Sequence, residues 1–455
     1  MSKVNLIPSP LGGRWWGALR HAFSLIREDK LFSAIYIAGT AVAIASAMVV
    51  AIVFNMLLAD IPPESHRSRT LYPFSYFVQG ENPHGPFHQG HSPVAIDSCF
   101  RQMRCVEAAT GVMPAYHYRF PVSDDQRSVT ISASTMVCDH DFFRIYDLNF
   151  ISGRAFSEAE FRSGERVCVI TDKVQEKVGD EATLVINDLP FRVVGVVKAV
   201  SAFLRDATAD VYLPYTIEGF GIHPTSRREG DVWSDASYSG NLDARILLRK
   251  GYSRQDFLDE LEPLRQQYNA FSSAAVGERL EWVMTVNSHF FRTINFFASD
   301  DETLGEQAMN LMPPALLMLL FLLLPAINLS GLVSNRMEAR RAEMGIRKAF
   351  GAKRRTLLRE TIRENLVLTL LGGILGWGLS ALFIAAIRNN QIFLEMFISR
   401  DQNAADTSLA LQMFFTPTLF LIVFLCCVVL NLMAALIPAW RALKSPIVES
   451  LNQKQ

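Results

Sequence analysis

No Lys, Arg, Asp or Glu lies in the interior of four apolar stretches of this 455-residue chain: residues 31–58, 311–332, 366–387 and about 419–437. A charge at such a position is costly and marks an ion or proton path, so its absence argues against a proton-coupled pump. Nowhere does Gly-x-x-x-x-Gly-Lys-Ser/Thr occur, so the chain cannot cradle ATP phosphates by that motif. Gly-x-Ser-x-Gly and His-Glu-x-x-His are missing too, and the sequence offers no catalytic constellation. With 44 basic against 45 acidic residues, the net charge of −1 gives no field for nucleic acid, and none is expected as a partner. Cysteine is scarce. Cys99, Cys105, Cys138 and Cys168 fall in a polar stretch and Cys426 and Cys427 in the last apolar one. Spacing assigns no pairs, so isolated thiols and one bridge both stay open.

What is present is a division into two materials. Each apolar stretch approaches or exceeds the roughly 20 helical residues that cross a bilayer. The expected fold is an α-helical membrane protein with four transmembrane helices and a large mixed α/β extracytoplasmic domain of two lobes. The reading places a cytoplasmic or interfacial helix at 1–30 and spans at 31–58, 309–332, 366–387 and 416–437. A domain at 59–308, with a β-rich lobe at about 153–235, and a loop at 388–415 lie outside. A hairpin at 333–365 and a tail at 438–455 lie inside. Orientation follows from Lys and Arg in the short loops. The hairpin carries ten of them from Arg336 to Arg363, whereas 388–415 has only Arg388 and Arg400. Both termini of this multi-pass chain are therefore expected on the cytoplasmic side.

Small residues recur at four-residue spacing in two spans, Gly39, Ala43 and Ala47 in the first and Gly372 and Gly376 in the third. This spacing lets helix backbones approach where lipid removes the hydrophobic drive for association. Residues 59–308 alternate strand-like and helix-like segments, with Ile186-Asn-Asp-Leu-Pro190 as a turn, a helical periodicity over 93–106 and an amphipathic helix over 253–268. Three histidines, His84, His88 and His91, crowd one Gly- and Pro-rich stretch. Imidazoles so close could ligate Zn²⁺ or Cu²⁺, but no carboxylate or cysteine accompanies them closely. The expectation is a solvated loop and no metal.

The hairpin is the most shaped segment. Arg336, Arg340 and Arg347 fall within about 40° of one another on a helical wheel, with Arg341 and Lys348 on an adjoining face. Basic residues at a membrane edge satisfy topology and bind anionic lipid without further purpose. Topology does not call for Glu343 and Gly345 among them, nor for Gly351 after Phe350, where a left-handed cap would end the helix.

Glu343-Met-Gly-Ile-Arg-Lys-Ala-Phe-Gly-Ala352 resembles the signature that follows the second span in MacB/FtsX-type ABC transporter permeases. Residues 142–156, 167–171 and 191–197 resemble the MacB periplasmic core, and 437–451 the family's tail. The resemblance implies a permease of the bacterial inner membrane that acts as a dimer, with a second copy or a similar chain. It also implies a docking surface for a cytoplasmic ABC ATPase subunit, formed by Arg340, Arg341, Glu343, Met344, Gly345, Ile346, Arg347, Lys348 and Gly351. ATP and Mg²⁺ would be bound in that partner and no cofactor by this chain, which is not expected to be an enzyme. A periplasmic adaptor or outer-membrane component is a further implied partner. The implied output is export, efflux or lipoprotein handling by mechanotransmission. The alternative is a signalling module that regulates an extracytoplasmic hydrolase. An exported enzyme with a membrane anchor is a poorer reading, because four spans and a shaped hairpin exceed what an anchor needs.

Overall fold

A computed structural model describes residues 30–79, 87–88, 90–113, 119–124, 130–180, 182–201, 204–217, 239–276, 280–294, 312, 316, 319–320, 323, 346–347, 350–387 and 417–444. The chain forms two compact units. One comprises Met1–Asn55, Met312–Ile387 and Phe414–Gln455; the other comprises Met56–Leu311 and Arg388–Met413.

The first unit is helical. Its long helices are Lys30–Leu58, Arg354–Ile387 and Pro417–Lys444. Windows long and apolar enough to cross a membrane are Ser33–Ile52, 20 residues with mean hydropathy 2.2, and Asn365–Phe383, 19 residues with mean hydropathy 2.0. Pro417–Lys444 holds a shorter apolar run, Phe420–Leu430. Met312, Leu316, Leu319, Leu320 and Leu323, in the stretch expected to be the second span, are helical and exposed. Exposed Leu and Ile line the other helices too, among them Leu375, Leu382, Leu421 and Leu425. Such a surface suits lipid and would be a liability in water.

The second unit is built on strands. In chain order they are β1 Thr70–Gln79, β2 Phe87–His88, β3 Gly90–His91, β4 Val106–Met113, β5 Arg119–Asp124, β6 Thr130–Cys138 and β7 Phe150–Gly153. There follow β8 Val167–Thr171, β9 Thr183–Ile186, β10 Leu189–Val197, β11 Val211–Pro214, β12 Ser239–Gly240, β13 Asp243–Leu248 and β14 Leu280–Ser288. Twelve of them share one sheet in the order β11-β8-β10-β9-β5-β6-β4-β13-β1-β14, with β2 on β1 and β7 on β10. β11 also pairs with β6, which closes a ring of six strands. β6 serves both parts of the sheet: Ser123 to Arg119 pair with it on one side, β11 joins its second half, and β4 meets it at Val137 and Cys138. Among the described residues the hydrogen-bonded sheet therefore runs continuously from the ring into the antiparallel part. The β-rich part expected to begin near 153 gains β5 and β6 from farther upstream.

Local chemistry explains several elements. β8 is Val-Cys-Val-Ile-Thr with every residue buried, as a strand between two neighbours and covered on both faces requires. β9 and β10 are joined by Asn187 and Asp188 at φ 50° and 63°, the positive-φ pair that a two-residue hairpin needs. Helix Arg254–Val276 lays Phe257 and Leu261 on the core. The helix expected over 93–106 is helical from 93 to 102, with a wide turn at Ala95–Cys99 and a tight one at Phe100–Gln102, and it ends before Met103. Arg101 is drawn to Asp97, Asp139 and Asp141, and Met103 turns extended ahead of β4. An aromatic cluster of Phe100, Phe257, Tyr268 and Trp282 centres the antiparallel part. Cys99, Cys105, Cys138 and Cys168 are buried and unpaired.

Candidate functional site

The structure describes one end of the basic hairpin. Ile346 and Arg347 are helical, and the Phe350 N–H donates to the Ile346 carbonyl at 3.0 Å. Gly351 has φ 90°, and the Ala352 N–H donates back to the Arg347 carbonyl at 3.0 Å. A left-handed glycine followed by that bond is a Schellman-type helix end. A Cβ at Gly351 would meet nothing within 4 Å, so backbone conformation alone selects glycine here. Two residues later the chain starts the next helix, with Thr356 and Leu357 N–H both bonding the Lys353 carbonyl, and that helix runs unbroken from Arg354 to Ile387. Arg340, Arg341, Glu343, Met344, Gly345 and Lys348 lie outside the described residues. Phe350 is 88% exposed and Ile346, one turn before it, 49%. The sequence reading passed over Phe350, because a single aromatic in an Ala-Phe-Gly run carries no periodic signal.

Among the small residues of the spans, Gly372 and Gly376 sit in close contact with the first helix. A Cβ at Gly372 would lie 2.7 Å from Thr40 Cβ, and one at Gly376 2.7 Å from the Ala41 carbonyl oxygen and 3.0 Å from Ile44 Cβ. Tyr36 and Thr369 hydroxyls meet at 3.4 Å along the same seam. Gly373 abuts Phe424 of the last helix. Ala43 and Ala47 are buried, whereas a Cβ at Gly39 would enter open space. Gly39 thus lies off the seam that its spacing suggested, and Thr40, Ala41 and Ile44 form it instead.

His84 lies outside the described residues, and His88 pairs with Tyr76 between β2 and β1. His91 is not in a solvated loop but 1% exposed, edge-on to Phe100 and Trp282. Its Nε2 lies 3.2 Å from the Pro73 carbonyl oxygen and its Nδ1 3.3 Å from Ser75 Oγ. Burial lowers its pKa to about 4, so the ring is neutral in the core. Among the described residues no group of three or more His, Cys, Asp or Glu is arranged to hold a metal ion.

Two buried ion clusters organise the large unit. In one, Arg101 donates to Asp139 at 2.8 Å and to Asp141 at 2.9 Å, and also pairs with Asp97. In the other, Glu64, Arg67, Asp206, Arg245 and Arg292 gather around Tyr72. Burial opposes the Asp206 charge, but Arg292 and Arg245 hold its carboxyl well below the usual range. Burial lifts Glu64 above its ordinary value against the pull of Arg67. The pair Asp206–Arg292 is 86 residues apart in sequence, so neither partner announces the other.

The MacB-like periplasmic core domain family matches residues 33–264, and the FtsX-like permease C-terminal family matches 315–447. The uncharacterized ABC transporter permease YknZ of Bacillus subtilis is 26% identical over 246 residues, 52% of this chain and 54% of that protein. The macrolide export ATP-binding/permease protein MacB of Escherichia coli K12 is 21% identical over 457 residues, 96% of this chain and 60% of that protein. The chain thus spans a little over half the length of these relatives. The crystal structure of the periplasmic region of MacB from Actinobacillus actinomycetemcomitans aligns with TM-score 0.33 and 14% identity over 51% of this chain and 94% of that one.

A core-domain match over half of the chain, in sequence before a permease match, defines a class: an inner-membrane permease with a large extracytoplasmic domain. The chain belongs to the MacB/FtsX-type ABC transporter permeases.

Proposed function

We propose that this chain is the permease subunit of an ABC transporter and couples ATP hydrolysis in a separate nucleotide-binding subunit to motion of its extracytoplasmic domain. In this reading four spans carry the chain, both termini and the 333–365 hairpin are cytoplasmic, and 59–308 is periplasmic with a β-rich second lobe. The permease pairs with a second copy or a homologous chain. Output is export, efflux or lipoprotein handling by mechanotransmission, with no substrate path through the bundle, which suits spans free of charge.

The observation that carries the reading is the hairpin end. The helix Arg354–Ile387 is continuous, and its apolar window begins at Asn365. Eleven residues at 1.5 Å each place Arg354 about 16 Å before the apolar core along the helix axis. A headgroup layer is only about 5–8 Å deep, so a helix near the membrane normal holds Phe350 beyond the lipid. An aromatic 88% exposed there, beside Ile346 and Arg347 and followed by Lys353 and Arg355, fits an apolar pocket with an acidic rim on a cytoplasmic protein. Glu343 and the arginines would add charge-assisted contacts, and the fixed turn at Gly351 would pass a push on the hairpin directly into the long helix.

The test is purification of tagged wild-type and Glu343→Lys/Arg347→Glu chains from the native host in mild detergent, with identification of co-purifying proteins and an ATPase assay. A nucleotide-binding subunit retained by wild type and lost by the double variant is expected; its equal retention by both would overturn the docking assignment. Phe350→Asp should weaken the same association by about 2 kcal/mol or more, roughly thirtyfold in affinity.

A further inference from the structure

The large unit is joined to flanking apolar helices at two places in the chain. The leading tether follows Leu58 and runs into β1, and the trailing tether, His289–Ile294, follows β14. Both converge on one loop of the strand ring, residues 204–208, between β10 and β11. That loop is a tight turn: the Ala207 N–H donates to the Leu204 carbonyl at 3.1 Å, and Thr208 Oγ1 donates to the Ser201 and Leu204 carbonyls at 2.6 and 2.8 Å.

The leading tether grips the loop through Glu64. Its Oε1 accepts from the Asp206 and Ala207 N–H groups at 3.1 and 3.3 Å, and its Oε2 accepts from Arg67 Nε at 2.7 Å. Arg67 Nη1 donates in turn to the carbonyl of Ala59, the first residue past the helix. The trailing tether grips the same loop through Arg292, whose Nη1 donates to both Asp206 oxygens at 2.7 and 2.8 Å. Arg245 of β13 stands 3.6 Å from that carboxylate. The Arg292 and Arg245 guanidinium carbons lie 4.3 and 5.0 Å from the Tyr72 ring centroid, and the Tyr72 hydroxyl meets His289 Nδ1 at 3.1 Å. Buried ion clusters are a poor route to stability, since apolar packing of the same volume does as well or better. Charge-assisted bonds do fix orientation as well as distance, which is what a joint between moving parts needs.

We propose that the 204–208 loop is a mechanical joint: it locks the two tethers to each other and to the strand ring, so that a displacement of either one moves the domain as a body. Glu64, Asp206 and Arg292 are its positioning residues. This goes beyond ATPase docking and rests on the reading that the spans move the domain.

The test is hydrogen exchange, read by mass spectrometry, on the full-length protein in detergent, which needs no ATPase and no cargo. Glu64→Ala removes the acceptor by which the leading tether grips the loop, and Asp206→Asn removes the charge that holds the trailing one. If the loop is a joint, each variant speeds exchange in both 59–70 and 289–294, by about tenfold or more, while β6, β8 and β10 stay protected. If each loosens only its own tether, the contacts are independent and the joint is refuted; opening of the whole sheet refutes it equally. Should Asp206→Asn not fold, Arg292→Lys keeps the charge but not the geometry, and must still loosen 59–70. Both neutral variants are expected to keep the co-purifying ATPase, so failure here is separable from failure of the docking reading.

Discussion

In the helical unit, contact is made by what is absent: Gly372 and Gly376 have no side chain, and the first helix fills the space with the Thr40 and Ile44 side chains and the Ala41 carbonyl. In the large unit the reverse holds. Its interior carries whole aromatic side chains, Phe100, Phe142, Tyr212 and Trp282, and buries charged groups such as Glu64, Arg67, Asp139, Asp206 and Arg245. Lipid tails are as apolar as Leu, so association in the bilayer depends on close van der Waals approach. Water drives apolar surface inward in the other unit, and that collapsed core can then host ion clusters whose partners satisfy one another. A substitution should therefore hurt the first unit by adding atoms and the second by removing them.

The largest effect is expected from removal in the second unit. Phe100→Ala empties the centre of the aromatic cluster and should lower unfolding stability by about 3–5 kcal/mol, measured as a shift in the midpoint of chemical unfolding of that unit in the full-length chain. A shift below about 1 kcal/mol would mean that the cluster does not carry the core.

His91 gives a pH test of similar size. Its pKa is lowered to about 4 when folded and lies near 6.5 when the chain is open, so the unfolded state binds the extra proton between those values. The stabilisation is whole above pH 6.5 and is lost as pH falls toward 4, by on the order of 3 kcal/mol. His91→Phe should flatten that segment of the stability–pH curve; an unchanged slope would place the titrating group elsewhere.

In the helical unit addition is the injury. Gly376→Val should force the first helix away from Ala41 and Ile44 and cost about 1–3 kcal/mol, seen as a lower thermal midpoint in detergent. Gly39→Ala is the opposite control. Its site is open, so the better helix former should be neutral or stabilising by up to about 1 kcal/mol. A loss there comparable to that at Gly376 would mean that spacing, not contact, governs these helices.

Several features could be read from sequence because their cause is local. The first helix, the Asn187-Asp188 turn and the cap at Gly351 each follow from adjacent residues and their permitted backbone angles. What escaped reading depends on partners far along the chain. His91 looked like part of a solvated Gly- and Pro-rich loop, yet Phe100 and Trp282 enclose it, and Trp282 lies 191 residues away. Gly39 matched a spacing but not the rotational register that decides which face meets a neighbour. The convergence of Glu64, Asp206 and Arg292 needs the β10–β11 connection brought beside both tethers, and no periodicity encodes that. At the described end of the hairpin the turn at Gly351 was legible, but the exposure of Phe350 was not.

The four unpaired cysteines of the large unit have a practical consequence. Burial pushes the Cys99 and Cys105 thiols up to about 12, and those of Cys138 and Cys168 also rise far above their ordinary value. Only the thiolate reacts with maleimides, disulfides or peroxide at a useful rate. The native fold is therefore a silent background for thiol chemistry. Once the exposed Cys426 of the helical unit is replaced, a single cysteine placed on an exposed position of this domain should report its motion without first stripping the natural sulfurs from the core.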